Sequence, residues 1–212
     1  MAYWSVEQFS ERFHSEPSDT LIVEDDAIDE VDLAAGDPMA MPSPARQTLE
    51  NVHRQLRRSW VTGGVVFQAW ELDDSEEDDD SEDPGPETVV SLLWSLADTQ
   101  DLPPDVAGCS IAWLADARIW PETTQQFGDA LFRALRDGGV LGDGLDAGQA
   151  QQLTEQYLEA LLDDTPKEDL FLFGLDPGFS CWFCDGEYDI AYAIINLDAG
   201  WFALFLATDS ED

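Results

Sequence analysis

The chain has 212 residues, 44% of them hydrophobic and 11% aromatic, with eight Trp and eleven Phe; it can bury a large core, and this composition excludes a disordered acidic chain. Forty-six acidic residues face nine basic ones, a formal net charge of -37, which disfavours binding of free nucleic acid because a polyanion repels phosphates. Three Cys are too few for a disulfide framework, no secretory signal follows Met1, and no apolar run approaches the ~20 residues of a membrane helix, so the sequence reads as a soluble protein of a reducing cytoplasm.

Residues 5–13 place Val6, Phe9 and Phe13 at helical spacing behind Ser5 as N-cap, which predicts a short amphipathic helix. Residues 21–23 are a short strand candidate. An acidic patch follows at residues 24–33, anchored only by Ile28, Val31 and Leu33, and residues 36–44 read as a Pro-rich connector. Ser43-Pro44 then opens a helix with Leu49, Val52, Leu56 and Trp60 in one stripe; Arg46, Arg54, Arg57, Arg58 and His53 are assigned to its flank and far side. Those arginines are expected to form surface ion pairs with the chain's own acids, against the alternative of a dedicated anion or partner site.

Residues 61–70 and 88–97 are predicted as strands on either side of a dense acidic run, although Leu and Ala in the second also suit a helix. Between them, ten of the thirteen residues from Glu71 to Asp83 are carboxylates. Such a run cannot pack into a core and is expected to form a solvated, flexible loop at about residues 71–87. Residues 109–114 are another strand candidate. Pro121 is expected to start a helix with Phe127, Leu131, Ala134 and Leu135 inward, stopped at Gly138-Gly139. Asp146 is expected to cap a further helix with Leu153, Tyr157, Ala160 and Leu161 inward. From Asp169 the period becomes two, and residues 170–173, 179–183, 188–195 and 201–206 read as a meander of antiparallel strands separated by Gly-bearing turns. The fold class is therefore α+β: a single domain over residues 1–212, mostly antiparallel sheet with a C-terminal β meander and amphipathic helices packed on one face.

Motifs for chemistry are sparse. Cys181 and Cys184, three apart, are the weak metal candidates, but the remaining Cys and His are scattered singly, and the neighbouring Asp185 and Glu187 would blunt thiol reactivity. The two histidines, His14 and His53, adjoin no recognised nucleophile or paired acid. Gly142-Asp-Gly144 superficially resembles a dinucleotide turn, yet its glycine spacing is wrong and it follows a helix. No loop has calcium-binding spacing. Ser75 and Ser81, each followed by acids, would suit an acidophilic kinase. The sequence thus predicts no catalytic residues and no cofactor, with a hydrolase site built from distant residues as the open exception.

The charge suggests function instead. The leading expectation is a non-enzymatic inhibitor or immunity protein that neutralises a basic protein such as a nuclease, a deaminase or another nucleic-acid-binding protein. Carboxylates on alternate strand positions lie about 6.6 Å apart, close to twice the ~3.4 Å rise per phosphate, so a rigid acidic face can imitate a phosphate row. The expected contributors are Asp73, Asp74, Glu76, Glu77, Asp78, Asp79, Asp80, Glu82 and Asp83, with Asp25, Asp26, Asp29 and Glu30 as a second patch. Exposed Trp or Tyr beside the acids would supply affinity. Two alternatives use the same charge. Asp outnumbers Glu 29 to 17 and Lys167 is the only lysine, as suits a surface hydrated in a salt-accumulating cytoplasm, and an acidic chaperone for basic clients would need only looser geometry.

Overall fold

The computed structural model describes residues 33–39, 43–60, 63–74, 83–99, 118–139, 142–162, 169–176, 183 and 189–209. Ten elements follow in chain order: β1 (Leu33–Met39), α1 (Ser43–Ser59), β2 (Gly64–Asp74), α2 (Pro86–Thr99), β3 (Ile119–Glu122), α3 (Thr124–Asp137), α4 (Ala147–Leu162), β4 (Leu170–Leu175), β5 (Ile190–Asn196) and β6 (Trp201–Thr208). The strands form one six-stranded sheet in the order β1-β2-β6-β5-β4-β3, with every neighbouring pair antiparallel. This is an α+β fold, and its last three strands form the C-terminal meander.

Side chains alternate across the sheet and build two cores. On one face Val65, Ala69, Leu172, Ile194, Ala203 and Phe205 pack under α1, α3 and α4, which bring Leu49, Leu56, Phe127, Leu131, Tyr157 and Leu161. These are the amphipathic helices expected from the 3.6-residue pattern. On the other face Trp70, Phe173, Ala193, Phe202, Leu204 and Leu206 pack against Val89, Val90, Leu92, Leu93 and Leu96 of α2. Every residue of β6 is buried. With both faces covered, the central strands are continuously apolar.

Residues 88–97 are therefore helix and not the second strand. Pro84-Gly-Pro86 initiates α2, with Gly85 N–H donating to Thr88 Oγ1 at 3.1 Å, and the helix is apolar on so many sides that its period is hard to read. Pro121 lies inside β3, and α3 begins at Thr124 behind a capping box. There Thr123 Oγ1 accepts from Gln126 N–H at 3.2 Å, while Gln126 Oε1 accepts from Thr123 N–H at 2.8 Å. Asp146 caps α4 as expected, its Oδ1 accepting from the N–H groups of Gly148 and Gln149 at 3.0 and 3.1 Å.

Gly36-Asp-Pro-Met39 belongs to β1, where the register to β2 shifts between Ala35 and Pro38; irregular pairing explains why the stretch resembles a connector. Both outer strands, β1 and β3, contain a proline, Pro38 and Pro121. The helix at 5–13 and the strands at 21–23, 109–114 and 179–182 fall outside the described residues. Phe183 is described as a bend, 6% exposed in the core beneath α2.

Candidate functional site

The geometry of interest lies where β1 begins and β2 ends. Leu33 pairs with Asp74, Ala34 with Asp73 and Ala35 with Leu72. Opposed residues in an antiparallel pair have Cα atoms about 4.5–5.5 Å apart. The acidic segment that runs into Leu33 and the one that leaves Asp74 are therefore attached to the fold as immediate neighbours, although some forty residues separate them along the chain. β2 also outruns its other neighbour. Its pairing with β6 stops at Glu71 opposite Trp201, so Leu72 to Asp74 extend about 10 Å further at ~3.4 Å per residue.

The β5–β6 turn completes this end of the sheet. Leu72 N–H donates to Gly200 O at 3.0 Å, and the turn is closed by Gly200 N–H on Leu197 O at 3.3 Å. Gly200 takes a positive φ of 64°. Glu71, Asp83 and Asp198 are exposed. Leu197, 37% exposed, is the large hydrophobic side chain left exposed among the described residues, and it sits in this turn beside Asp198. Among the described residues no Trp or Tyr is an exposed anchor of the kind expected; Tyr3, Trp4, Trp113, Trp182 and Tyr188 lie outside them. Trp60, Trp70, Tyr157, Tyr192 and Trp201 are buried, and Trp94 and Trp120 are half-buried.

The acidic loop is shorter than the predicted 71–87 at both ends. Glu71 to Asp74 are strand and Pro86 and Glu87 are helix. Asp73 and Asp74 occupy paired backbone positions, and Asp83 is exposed just before the buried Pro84. Glu76, Glu77, Asp78, Asp79, Asp80, Glu82, Asp25, Asp26, Asp29, Glu30, Cys181 and Cys184 lie outside the described residues. Among the described residues no group of three or more His, Cys, Asp or Glu could hold a metal ion, and no helix is long and apolar enough to cross a membrane.

The chain matches no family model, no curated protein and no solved structure.

His53 differs from its predicted place on the flank of α1. It lies four residues after Leu49, inside the apolar stripe, and is 5% exposed. Its ring stacks on Phe205 at 5.7 Å and lies 5.3 Å from Phe67, and its Nε2 is 3.1 Å from Tyr157 Oη. Burial, reinforced by the charge of Arg57, lowers its pKa to about 3; burial pushes the Tyr157 phenol well up. Both groups stay neutral at ordinary pH, and the pair is a satisfied polar contact within the core. Cys109 lies outside the described residues.

Another polar contact closes the β3 edge, where Glu122 accepts from Trp120 Nε1 at 2.8 Å and from Tyr192 Oη at 3.0 Å. Burial, then the adjacent Glu122 carboxylate, raises the Tyr192 pKa well up. Gly138, which stops the helix, and Gly142, from the stretch that mimics a dinucleotide turn, both have local structural roles. Gly138 takes a positive φ of 72° to end α3. A Cβ on Gly142 would lie 1.9 Å from Ser59 O, so only glycine lets this loop pass under the end of α1, where Ser59 Oγ donates to Asp143 O at 3.2 Å.

The α1 arginines have partners of more than one kind. Among the described residues Arg46 is the α1 arginine that pairs with an acid, Glu50, at 2.8 Å. Arg57 donates to Val65 O at 2.7 Å and Arg54 to Asn51 Oδ1 at 3.2 Å. Below them, Gln47, Thr48 and Asn51 of α1 and Gln156 and Glu159 of α4 line an open groove of about 460 Å³.

Proposed function

We propose that this chain is a soluble, cytoplasmic, non-enzymatic binding protein that neutralises a basic protein partner of the nuclease or deaminase type through the acidic end of its sheet. One observation carries the reading: the Leu33–Asp74 pairing sets the points where two acidic sequence stretches join the sheet opposite each other, next to a turn that exposes Leu197 and Asp198. A dense polyanionic surface accelerates encounter with a cationic cleft and selects against other anions. An apolar side chain within it supplies contact that water does not compete for. Dispersed acidity would hydrate the surface equally well without this convergence.

The Asp excess and the single lysine favour one rival, acidity as adaptation to a salty cytoplasm. Urea melts across KCl separate the two readings. A fold that persists at about 0.05 M KCl, where the Debye length exceeds 10 Å, supports the binding protein; unfolding there with recovery only in molar salt refutes it.

The direct test titrates purified basic nucleases and deaminases, with polylysine as the non-specific control. The comparison protein has Glu76, Glu77, Asp78, Asp79 and Asp80 changed to Gln or Asn. This spares the paired Asp73 and Asp74, so the sheet edge is kept. A partner bound more tightly than polylysine, released by salt and weakened at least tenfold in the comparison protein, is the expected result. Equal affinity of the two proteins would remove the acidic run from the site.

A further inference from the structure

We propose that the solvent face of α1 docks the acidic end of the sheet of a second copy of this chain. α1 is a positive island in a negative molecule, with four of the chain's nine basic residues and one acid in seventeen residues. Its last turn suits cations, because Arg57 and Arg58 lie near the helix C-terminus, and Arg57 is fixed on Val65 O. That accounts for Arg57. It does not account for Arg54, a turn earlier, which shares an exposed face with Arg58 four residues on. Neither Arg54 nor Arg58 makes an ion pair among the described residues, although carboxylates outnumber bases fivefold in the chain.

Topology supplies the reason. Arg57 is anchored at Val65, which pairs with Ala207 near one end of the sheet, whereas Glu71 pairs with Trp201 at the other. Six to nine strand residues separate Val65 from the Glu71 to Asp74 stretch, about 20–30 Å at ~3.4 Å per residue. This exceeds both the reach of a guanidinium and the ~8 Å Debye length of physiological salt. Glu71 and the arginine face of one molecule are too far apart to pair with each other, and a head-to-tail contact between two copies lets them do so. Exposed Glu71 and Asp198 then face Arg54 and Arg58. This contact shares the acidic end with the proposed basic partner, which would compete for it. It is tested with no partner present, so its failure leaves the partner reading untouched.

The contact has a distinctive salt dependence. At low salt the net charge of -37 on each copy repels over long range; near 0.1 M this falls off within about 10 Å while ion pairs in contact persist, and molar salt weakens those too. Association therefore peaks at intermediate salt, whereas apolar association would keep rising. Sedimentation velocity over a wide concentration range at low, intermediate and molar KCl reads this directly. Arg54→Glu with Arg58→Glu is expected to reduce the association constant at least tenfold at the peak, and the double Lys variant to retain it; circular dichroism verifies both folds. Mixing the Glu double variant with Glu71→Lys and Asp198→Lys protein restores association. A chain that stays monomeric at every salt, a Glu variant that associates like the parent, or a charge swap that restores nothing overturns the proposal.

Discussion

Replacing His53 by Gln should flatten the pH dependence of stability between pH 7 and pH 5 by about 2 kcal/mol. The native pKa of about 3 lies below the ordinary 6.5 because burial, and then Arg57, disfavour the charged ring. The unfolded chain consequently takes up a proton through pH 6.5 that the folded chain refuses until about pH 3. Stability from this group is complete above 6.5 and is lost progressively as pH falls toward 3. At 1.36 kcal/mol per unit, the full window amounts to about 5 kcal/mol, of which about 2 kcal/mol falls between pH 7 and 5. The many carboxylates titrate in both proteins and cancel in the comparison. Glutamine keeps a polar group for Tyr157 Oη but has no proton to gain. Urea unfolding followed by Trp fluorescence at pH 5, 6, 7 and 8 measures the difference without adding salt. Parallel curves for the two proteins would refute an uncharged, desolvated His53.

Four further outcomes follow from the packing. Leu197→Ser should weaken binding to the proposed basic partner by about 1 kcal/mol with the melting temperature unchanged, since the side chain is already 37% exposed; calorimetric titration beside a thermal melt separates the two effects. Gly142→Ala should cost upward of about 2 kcal/mol, because its Cβ would overlap Ser59 O, and a urea midpoint matching the parent would contradict the close approach. Phe205→Ala, removing a ring stacked on His53 and set edge-on to Phe127 and Tyr157, should cost about 3–5 kcal/mol by the same measurement. Glu122→Leu should cost about 1–3 kcal/mol by leaving the Tyr192 hydroxyl and Trp120 N–H without their acceptor, and an unchanged unfolding midpoint would show those bonds to be unimportant.

Single-sided elements were the legible ones. α1, α3 and α4 each bury one stripe, so Leu49, Phe127 and Tyr157 announce themselves by spacing, and Asp146 announces a start by its chemistry. α2 sits on the second face of the sheet and is apolar almost throughout, which makes Val89 to Leu96 resemble a buried strand; the Pro84-Gly-Pro86 signal before it was the better guide. β3 is four residues long and ends at its own capping box, so Thr123 and Gln126 carried the information that Pro121 obscured. The acidity was visible as composition. That two acidic stretches join the sheet at opposed positions was not, because it depends on Leu33 meeting Asp74, a long-range register that no local pattern encodes. His53 could have been found, since four residues after Leu49 is the same face of a helix.

The prolines in β1 and β3 have a consequence for how anything can hold this molecule. A strand that lacks an N–H at Pro38, and a four-residue strand that lacks one at Pro121, are poor templates for a visiting backbone. Among the described residues both outer strands of the sheet are thereby poor sites for ladder-forming partners, including other copies of the chain poised to aggregate. Recognition is left to side chains and their charges. An extended peptide designed to zip onto this sheet should bind poorly, whereas a rigid cationic surface with a small hollow for one leucine complements the exposed Glu71, Asp198 and Leu197.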